Sequence, residues 1–312
     1  MASIIFMGTP EFAVASLRAV HEQFPVRAVV TVPDKPRGRG LQMQSSPVKQ
    51  AALELGIHTI LQPESLKTPV FHAELAALEP DVIVVVAFRI LPANIYTLAR
   101  LGAYNVHGSL LPKYRGAAPI NWAIIEGERE TGVTSFLLAN SVDTGAMLGH
   151  RTVPIPDGMT AGELHDAMMP LAADLAVETC GQLLHGTATP LPQNDTQATK
   201  APKIFRETCA IHWTQPAKRV RNFIHGLSPY PSAWTTLPDG KTLKILRAAL
   251  VQRSELIPNL DVGEFIIQSG TMIVACDSGA LSLVEIQPEN KRAMPTSEYL
   301  RGYRGVQRGR FL

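Results

Sequence analysis

The run Asp81-Val82-Ile83-Val84-Val85-Val86-Ala87 limits the fold more than any other stretch of the chain. Its consecutive β-branched residues, with no polar alternation, suit a strand buried on both faces, and such strands belong to parallel sheets covered by helices. A helix is disfavoured there because β-branched side chains lose χ1 freedom in one. Ile4-Ile5-Phe6-Met7 reads as another short buried strand, and Val26 to Val32 as a third, apolar except for Arg27 and Thr31. Gly8-Thr9-Pro10-Glu11 turns the first into a helix expected over about 11–22, with Thr9 as N-cap and Pro10 at the first helical position. Strand, turn and helix in this order open a doubly wound, mostly parallel α/β sheet of Rossmann-like type. Only Gly8 stands where a G-x-G-x-x-G fingerprint needs three glycines, which argues against a nicotinamide dinucleotide.

The chemistry concentrates in Ala103-Tyr104-Asn105-Val106-His107-Gly108-Ser109-Leu110-Leu111-Pro112-Lys113-Tyr114-Arg115-Gly116. Tyr104 to His107 reads as a strand that Gly, Ser and Pro then break into a loop. Side chains at i and i+2 of a strand share a face, so Asn105 and His107 project together at the edge where ligands enter open parallel sheets. An amide donor beside an imidazole suits a reaction in which a carbonyl oxygen becomes negative. A carboxylate is still needed to orient and charge the imidazole, and Asp143, in Ser141-Val142-Asp143-Thr144-Gly145, is the best candidate. Taken alone, an Asn-x-His pair is usually structural, and an Asp in such a turn usually bonds its own backbone.

The longer string decides between these. NVHGSLLPKYRGAAP followed by VDTG resembles the signature of the folate-dependent formyltransferases, and its GAAPI ending is most similar to the members that formylate methionyl initiator tRNA. The resemblance implies that 10-formyltetrahydrofolate is the formyl donor, that Asn105, His107 and Asp143 are catalytic, and that no metal is required. It implies further that Ser109, Leu110, Leu111 and Pro112 shape the folate side, together with Phe88, Ile90 and Leu91 from the exit of the apolar run. That exit departs from the family's usual A-Y-G, because Phe88-Arg89 stands in a shorter loop. Pro33 to Gln42 carries Arg37 and Arg39 in a cationic loop, read by composition as mobile. The family places a similar loop in the acceptor arm of the tRNA, which makes Arg37 and Arg39 tRNA contacts. Leu41-Gln42 replace lysines that the family often has there.

The rest of the chain is consistent with this. A strand at His58 to Leu61, a helix near 64–78, a helix at Pro119 to Glu126, strands at Thr131 to Leu138 and Leu148 to Ile155, and a helix over about 160–185 complete a catalytic domain of residues 1–189. Leu164, Met168, Leu171, Leu175 and Leu183-Leu184 read as the core stripe of that last helix. Residues 190–208 are polar and proline-punctuated, and read as a linker. Residues 209–312 alternate in short segments separated by turns, the pattern of a small β-barrel like those that bind oligonucleotides. Charge divides the same way: residues 1–189 carry 13 Lys and Arg against 17 Asp and Glu, and residues 190–312 carry 16 against 10. A basic back half points to a polyanionic partner, with Lys218, Arg219 and Arg221 on a helix and Arg304 in the basic tail as candidate tRNA contacts. Cys180, Cys209 and Cys276 lack metal or disulfide spacing, and no apolar run approaches the ~20 residues of a membrane span. A cytoplasmic monomer without a signal peptide is expected. Two other functions fit parts of the pattern, an amino-sugar formyltransferase and a non-catalytic tRNA-binding protein.

Overall fold

The computed structural model describes residues 2–37, 42–251 and 260–311, with Arg37 and Gln42 described in backbone only. The chain forms two compact units. The first comprises Met1–Pro119, Thr131–Val153 and His165–Ala201, and the second comprises Ile120–Glu130, Pro154–Leu164 and Pro202–Leu312. The division is therefore not a single cut in the sequence.

In the first unit the strands are β1 (Ile4–Gly8), β2 (Val26–Val30), β3 (Lys35–Arg37), β4 (Gln42–Gln44), β5 (Ile60–Leu61), β6 (Val82–Val86), β7 (Gly102–His107), β8 (Arg115–Gly116), β9 (Glu130–Leu137), β10 (Met147–Pro154) and β11 (Lys200–Ala201). Seven of them form one sheet in the order β10-β9-β7-β6-β1-β2-β5. The pairs from β5 to β7 are parallel, and β9 runs antiparallel to β7, so the sheet is mixed. The chain starts at β1 in the middle and goes first to β2 and later to β6, which puts the topological switch between β1 and β6. The run from Val82 to Val86 is that central β6, and each of its residues is at most 4% exposed. Burying a Val or Ile this completely contributes about 1.5–3 kcal/mol relative to exposure, which explains why no polar residue interrupts the run.

Helix α1 (Phe12–Gln23) follows the first turn, but its N-cap is Glu11 and no side chain caps it; Thr9 lies outside the helix. Helices α2 (Pro47–Glu54) and α3 (Pro69–Ala76) begin as such sequences should, on Ser46 and Thr68 hydroxyls with proline in the first turn. Thr68 therefore starts a shorter helix than the expected 64–78. Helix α4 (Ala93–Tyr96) is a single turn, α5 spans Pro119–Glu126 and α6 spans Ala161–His185. The loop read as mobile has paired ends, because β3 and β4 form an antiparallel hairpin. Its root is pinned where Lys49 Nζ donates to Asp34 (2.6 Å) and to Gln62 (2.7 Å), and Gln62 Nε2 donates to Asp34 (2.8 Å). The Lys49 hydrogen bond, followed by that from Gln62, holds the Asp34 carboxyl below its ordinary value.

The second unit contains all of α5 but Pro119, the first turn of α6, and α7 (Ala217–Gly226), β12 (Ala233–Thr236), β13 (Thr242–Leu250), β14 (Glu264–Gln268), β15 (Thr271–Ala275), β16 (Ala280–Pro288), β17 (Met294–Pro295), α8 (Thr296–Arg301) and β18 (Arg308–Arg310). Its antiparallel sheet runs β12-β13-β16-β15-β14-β18, with β17 on β16, and curls around a core that includes Trp213, Ile224, Leu243, Phe265 and Ile286. The three cysteines are free and buried, Cys180 in the first unit and Cys209 and Cys276 in the second. Among the described residues no helix is long and apolar enough to cross a membrane.

Candidate active site

The candidate side chains come from two places: Asn105 and His107 lie toward the carboxyl end of β7, which pairs with β6, and Asp143 lies in the turn between β9 and β10. Asn105 on β7 pairs with Val85 of β6 and Phe136 of β9. It lines a cavity of about 100 Å³ together with Phe88, Ile90, Leu91, Tyr96 and Asp143. A cavity of about 850 Å³ in the second unit, lined in part by Lys241, Tyr299 and Tyr303, is larger. Chemistry rather than size selects the smaller one: Asn105 and Asp143 both line it, and the Asp143 carboxylate lies 3.8 Å from the imidazole of His107.

His107 is two residues beyond Asn105 and is buried. Its Nε2 lies 2.8 Å from the Tyr114 carbonyl oxygen, so that nitrogen carries hydrogen and donates. The ring edge left for chemistry is Nδ1, which lies 3.8 Å from Asp143 Oδ2. The orienting acceptor expected from Asp143 is thus a backbone carbonyl, and the carboxylate stands across a gap from the imidazole. Phe136 packs edge-on to the ring, with centroids 6.5 Å apart. Asp143 has φ of +56° and accepts from the Gly116 N–H at 2.9 Å. The left-handed conformation disfavours most L-residues by about 1–2 kcal/mol and is tolerated best by Gly, Asn and Asp. Two glycines are required by close approach. A Cβ on Gly116 would lie 2.4 Å from the Ala201 carbonyl oxygen, and one on Gly145 would lie 1.6 Å from that of Leu137.

Three of the seven expected folate residues, Phe88, Ile90 and Leu91, line the cavity. Ile90 is 75% exposed and Val142 is 48% exposed, so the rim is an apolar lip. Ser109, Leu110, Leu111 and Pro112 do not line that cavity. Ser109 is fully buried, and its hydroxyl donates to the Lys113 carbonyl at 2.6 Å. The Thr134 hydroxyl donates to the Ser109 carbonyl (2.7 Å) and accepts from the Leu111 N–H (3.1 Å), tying the loop to β9. These bonds fix the backbone that follows His107. Arg89 donates to the carbonyls of Pro63 (2.8 Å) and Glu64 (2.9 Å), and so braces the cavity wall.

Of the cationic residues, Lys218, Arg219 and Arg304 are exposed. Arg221 is 6% exposed and grips Asp157 through both guanidinium arms, at 2.8 and 2.5 Å. That hydrogen bonding holds the Asp157 carboxyl below its ordinary value. Arg221 is thus buried in an ion pair, while Lys218 and Arg219 are the exposed cations of α7. The side chain of Arg37 and the whole of Arg39 lie outside the described residues. Sequence reasoning did not single out Tyr114, Gly116 or Gln193. Tyr114 and Gly116 act through backbone groups, which no residue type advertises, and Gln193 lies in the stretch read as a linker.

Comparison with known proteins accords with this geometry. A family model described as "Formyl transferase" matches residues 1–179, and one described as "Formyl transferase, C-terminal domain" matches residues 203–304. The chain is 48% identical over 303 residues to the methionyl-tRNA formyltransferase of Caldanaerobacter subterraneus subsp. tengcongensis, with 96% of each chain covered. Among solved structures it resembles an N-formyltransferase from Helicobacter canadensis in complex with folinic acid and dTDP-3-aminofucose, with a TM-score of 0.67, 19% identity, and 92% and 100% of the two chains covered. It also resembles a methionyl-tRNA formyltransferase from Clostridium thermocellum, with a TM-score of 0.57, 18% identity, and 80% and 94% covered. At these identities the two structures show a shared fold.

Proposed function

The chain belongs to the formyl transferase family, and from that membership we propose that it transfers the formyl group of 10-formyltetrahydrofolate to the α-amine of methionyl initiator tRNA. The observation that carries the reading is that Asn105 and Asp143 line one apolar-lipped cavity, with the Nδ1 edge of His107 3.8 Å from the Asp143 carboxylate. The walls fit the donor's chemistry: Phe88, Ile90 and Leu91 offer apolar surface to a flat ring system, and Asn105 and Asp143 add polar groups to the same lining. The near-full-length likeness to a methionyl-tRNA formyltransferase supports the acceptor, as do the exposed Lys218, Arg219 and Arg304 on a unit whose curled sheet we read as of oligonucleotide-binding type.

Asn105 donates to the formyl oxygen as it gains negative charge, in a pocket where a fixed dipole is worth more than in water. The Nδ1–H of protonated His107 gives a second, charge-assisted bond, while Nε2–H stays on the Tyr114 carbonyl and keeps the ring from rotating. Asp143 accepts the proton that the attacking amine sheds and returns it, through water, to the folate nitrogen as the carbon–nitrogen bond to the donor breaks. The protein would work in the cytoplasm as a monomer, with Arg37 and Arg39 reaching the acceptor arm.

The test is to mix the protein with 10-formyltetrahydrofolate and either methionyl initiator tRNA or amino-sugar nucleotides, and to look for the formylated product. Formylmethionyl-tRNA is expected. Formylation of the sugar alone would replace the acceptor, and tRNA binding without any transfer would make the protein a tRNA-binding module.

A further inference from the structure

Gln193 lies in a stretch of exposed polar residues, yet it is half-buried and its amide is saturated. The Nε2 group donates to the backbone carbonyls of Asp143 (2.9 Å) and Gly145 (2.8 Å). The Oε1 atom accepts from Arg115 Nε (3.0 Å) and Nη2 (2.7 Å). Two donors and two lone pairs are all that a primary amide has.

The two segments that Gln193 bridges are the ones that aim the reactive groups. Arg115 sits between Tyr114, whose carbonyl holds His107 Nε2, and Gly116, whose N–H holds the Asp143 carboxylate. On the other side Gln193 grips the backbone of Asp143, a residue in a left-handed conformation that its surroundings must maintain. The neighbouring chain reinforces the tie. Thr199 accepts from the N–H groups of Tyr114 (2.8 Å) and Arg115 (2.9 Å), the first through its hydroxyl and the second through its carbonyl. Leu191 exchanges two hydrogen bonds of 2.8 Å with Met147 at the start of β10.

Resting on the reading of Asn105, His107 and Asp143 as the reacting set, we infer that Gln193 is a positioning residue for formyl transfer. It fixes the separation of imidazole and carboxylate while touching neither. Residues 191–201 then act as a strap across the site.

Two variants test this in the full chain. Gln193→Ala removes all four bonds. Gln193→Glu keeps an acceptor for Arg115 but sets a carboxylate oxygen against the carbonyls of Asp143 and Gly145. Both are expected to lower kcat by ~10–100-fold, the scale of about an ångström of misplacement. The KM for methionyl-tRNA, the Kd for 10-formyltetrahydrofolate and the folded fraction at the assay temperature should stay near wild type. Asp143→Ala is assayed beside them. Wild-type turnover by Gln193→Glu, with Asp143→Ala inactive, overturns the inference and leaves the catalytic reading standing. Wild-type turnover by Asp143→Ala removes the catalytic reading and the inference together. A loss shared equally by kcat and folate affinity, or explained by the unfolded fraction, also overturns the inference, since Gln193 would then only stabilise the fold. Should the alanine variant fail to fold, the glutamate variant carries the test.

Discussion

Gly145→Ala isolates the geometry of the Asp143 turn from its chemistry. An added Cβ would lie 1.6 Å from the Leu137 carbonyl oxygen, whereas real Cβ atoms essentially never come within 3.0 Å of a neighbour. One partner must therefore give by at least 1.4 Å. Leu137 is held on both sides, since it pairs with Tyr104 of β7 and its N–H donates to the Ala146 carbonyl at 2.9 Å. The turn moves instead, and Asp143 lies two residues upstream in it. A shift of this size is large against the 3.8 Å between Asp143 and His107. Misplacement by about an ångström costs on the order of 10²-fold in rate, and forced overpacking costs about 1–3 kcal/mol in stability. We expect kcat for formylation to fall by ~10²-fold or more, with Tm lowered. The control is Gly186→Ala, at φ of +68° with nothing within 4 Å of the added carbon. It should cost ~1 kcal/mol of backbone strain and leave kcat unchanged. Near-normal turnover by Gly145→Ala would refute the reasoning, because the turn would then have slack the structure does not show. Equal losses of kcat in both variants would refute it too, by making stability rather than position the cause.

Asn105→Ala should lower kcat by ~10²–10³, the scale of one lost oxyanion donor, with folate affinity retained by equilibrium titration. His225 provides a pH signature in the second unit, since burial, then Arg221 and Arg247, lower its imidazole from 6.5 to about 4. The unfolded chain takes up that proton below pH 6.5 while the folded one does not, so stability present above pH 6.5 should be lost as pH falls toward 4. The loss should reach roughly 3 kcal/mol by urea unfolding and be blunted in His225→Gln, which keeps an acceptor for the Ala248 N–H; an unchanged pH slope would count against it. Lys218→Ala should reduce the log–log salt slope of tRNA binding by ~0.9 if it holds one phosphate, whereas Asp157→Ala should chiefly destabilise the second unit by unpairing Arg221.

The parts of this fold legible in sequence were those whose cause is local. An unbroken Val/Ile run can be satisfied only in a sheet covered on both faces, and it became β6. Asn105 and His107 were legible as a pair because the two-residue period of a strand is invariant. The helix expected from Pro119 to Glu126 has those ends in the structure. What escaped depends on partners distant in sequence. Arg221 reads as a surface cation until Asp157, 64 residues earlier, closes on it. Gln193 reads as linker because its four bonds go to residues 48–78 positions away. Thr9 has the composition of a cap, but the first turn is closed by backbone bonds from Ala13 to Pro10 and from Val14 to Glu11. Asp143 was chosen for the right neighbourhood, while the acceptor that orients His107 is a main-chain oxygen with no side-chain signature.

The buried cysteines make the native chain its own reporter of opening. Cys180 lies on α6 in the part that belongs to the first unit, and Cys209 and Cys276 lie in the second. Burial pushes the thiols of Cys180 and Cys276 up to about 12, so at neutral pH neither reacts from the closed state. A thiol reagent must wait for a local opening, and mass spectrometry of the tagged peptides then clocks each unit separately. Substrates that tighten only the first unit would slow the tagging of Cys180 alone. Those that grip the second would slow Cys209 and Cys276, and all of this is read on a protein carrying no label and no mutation.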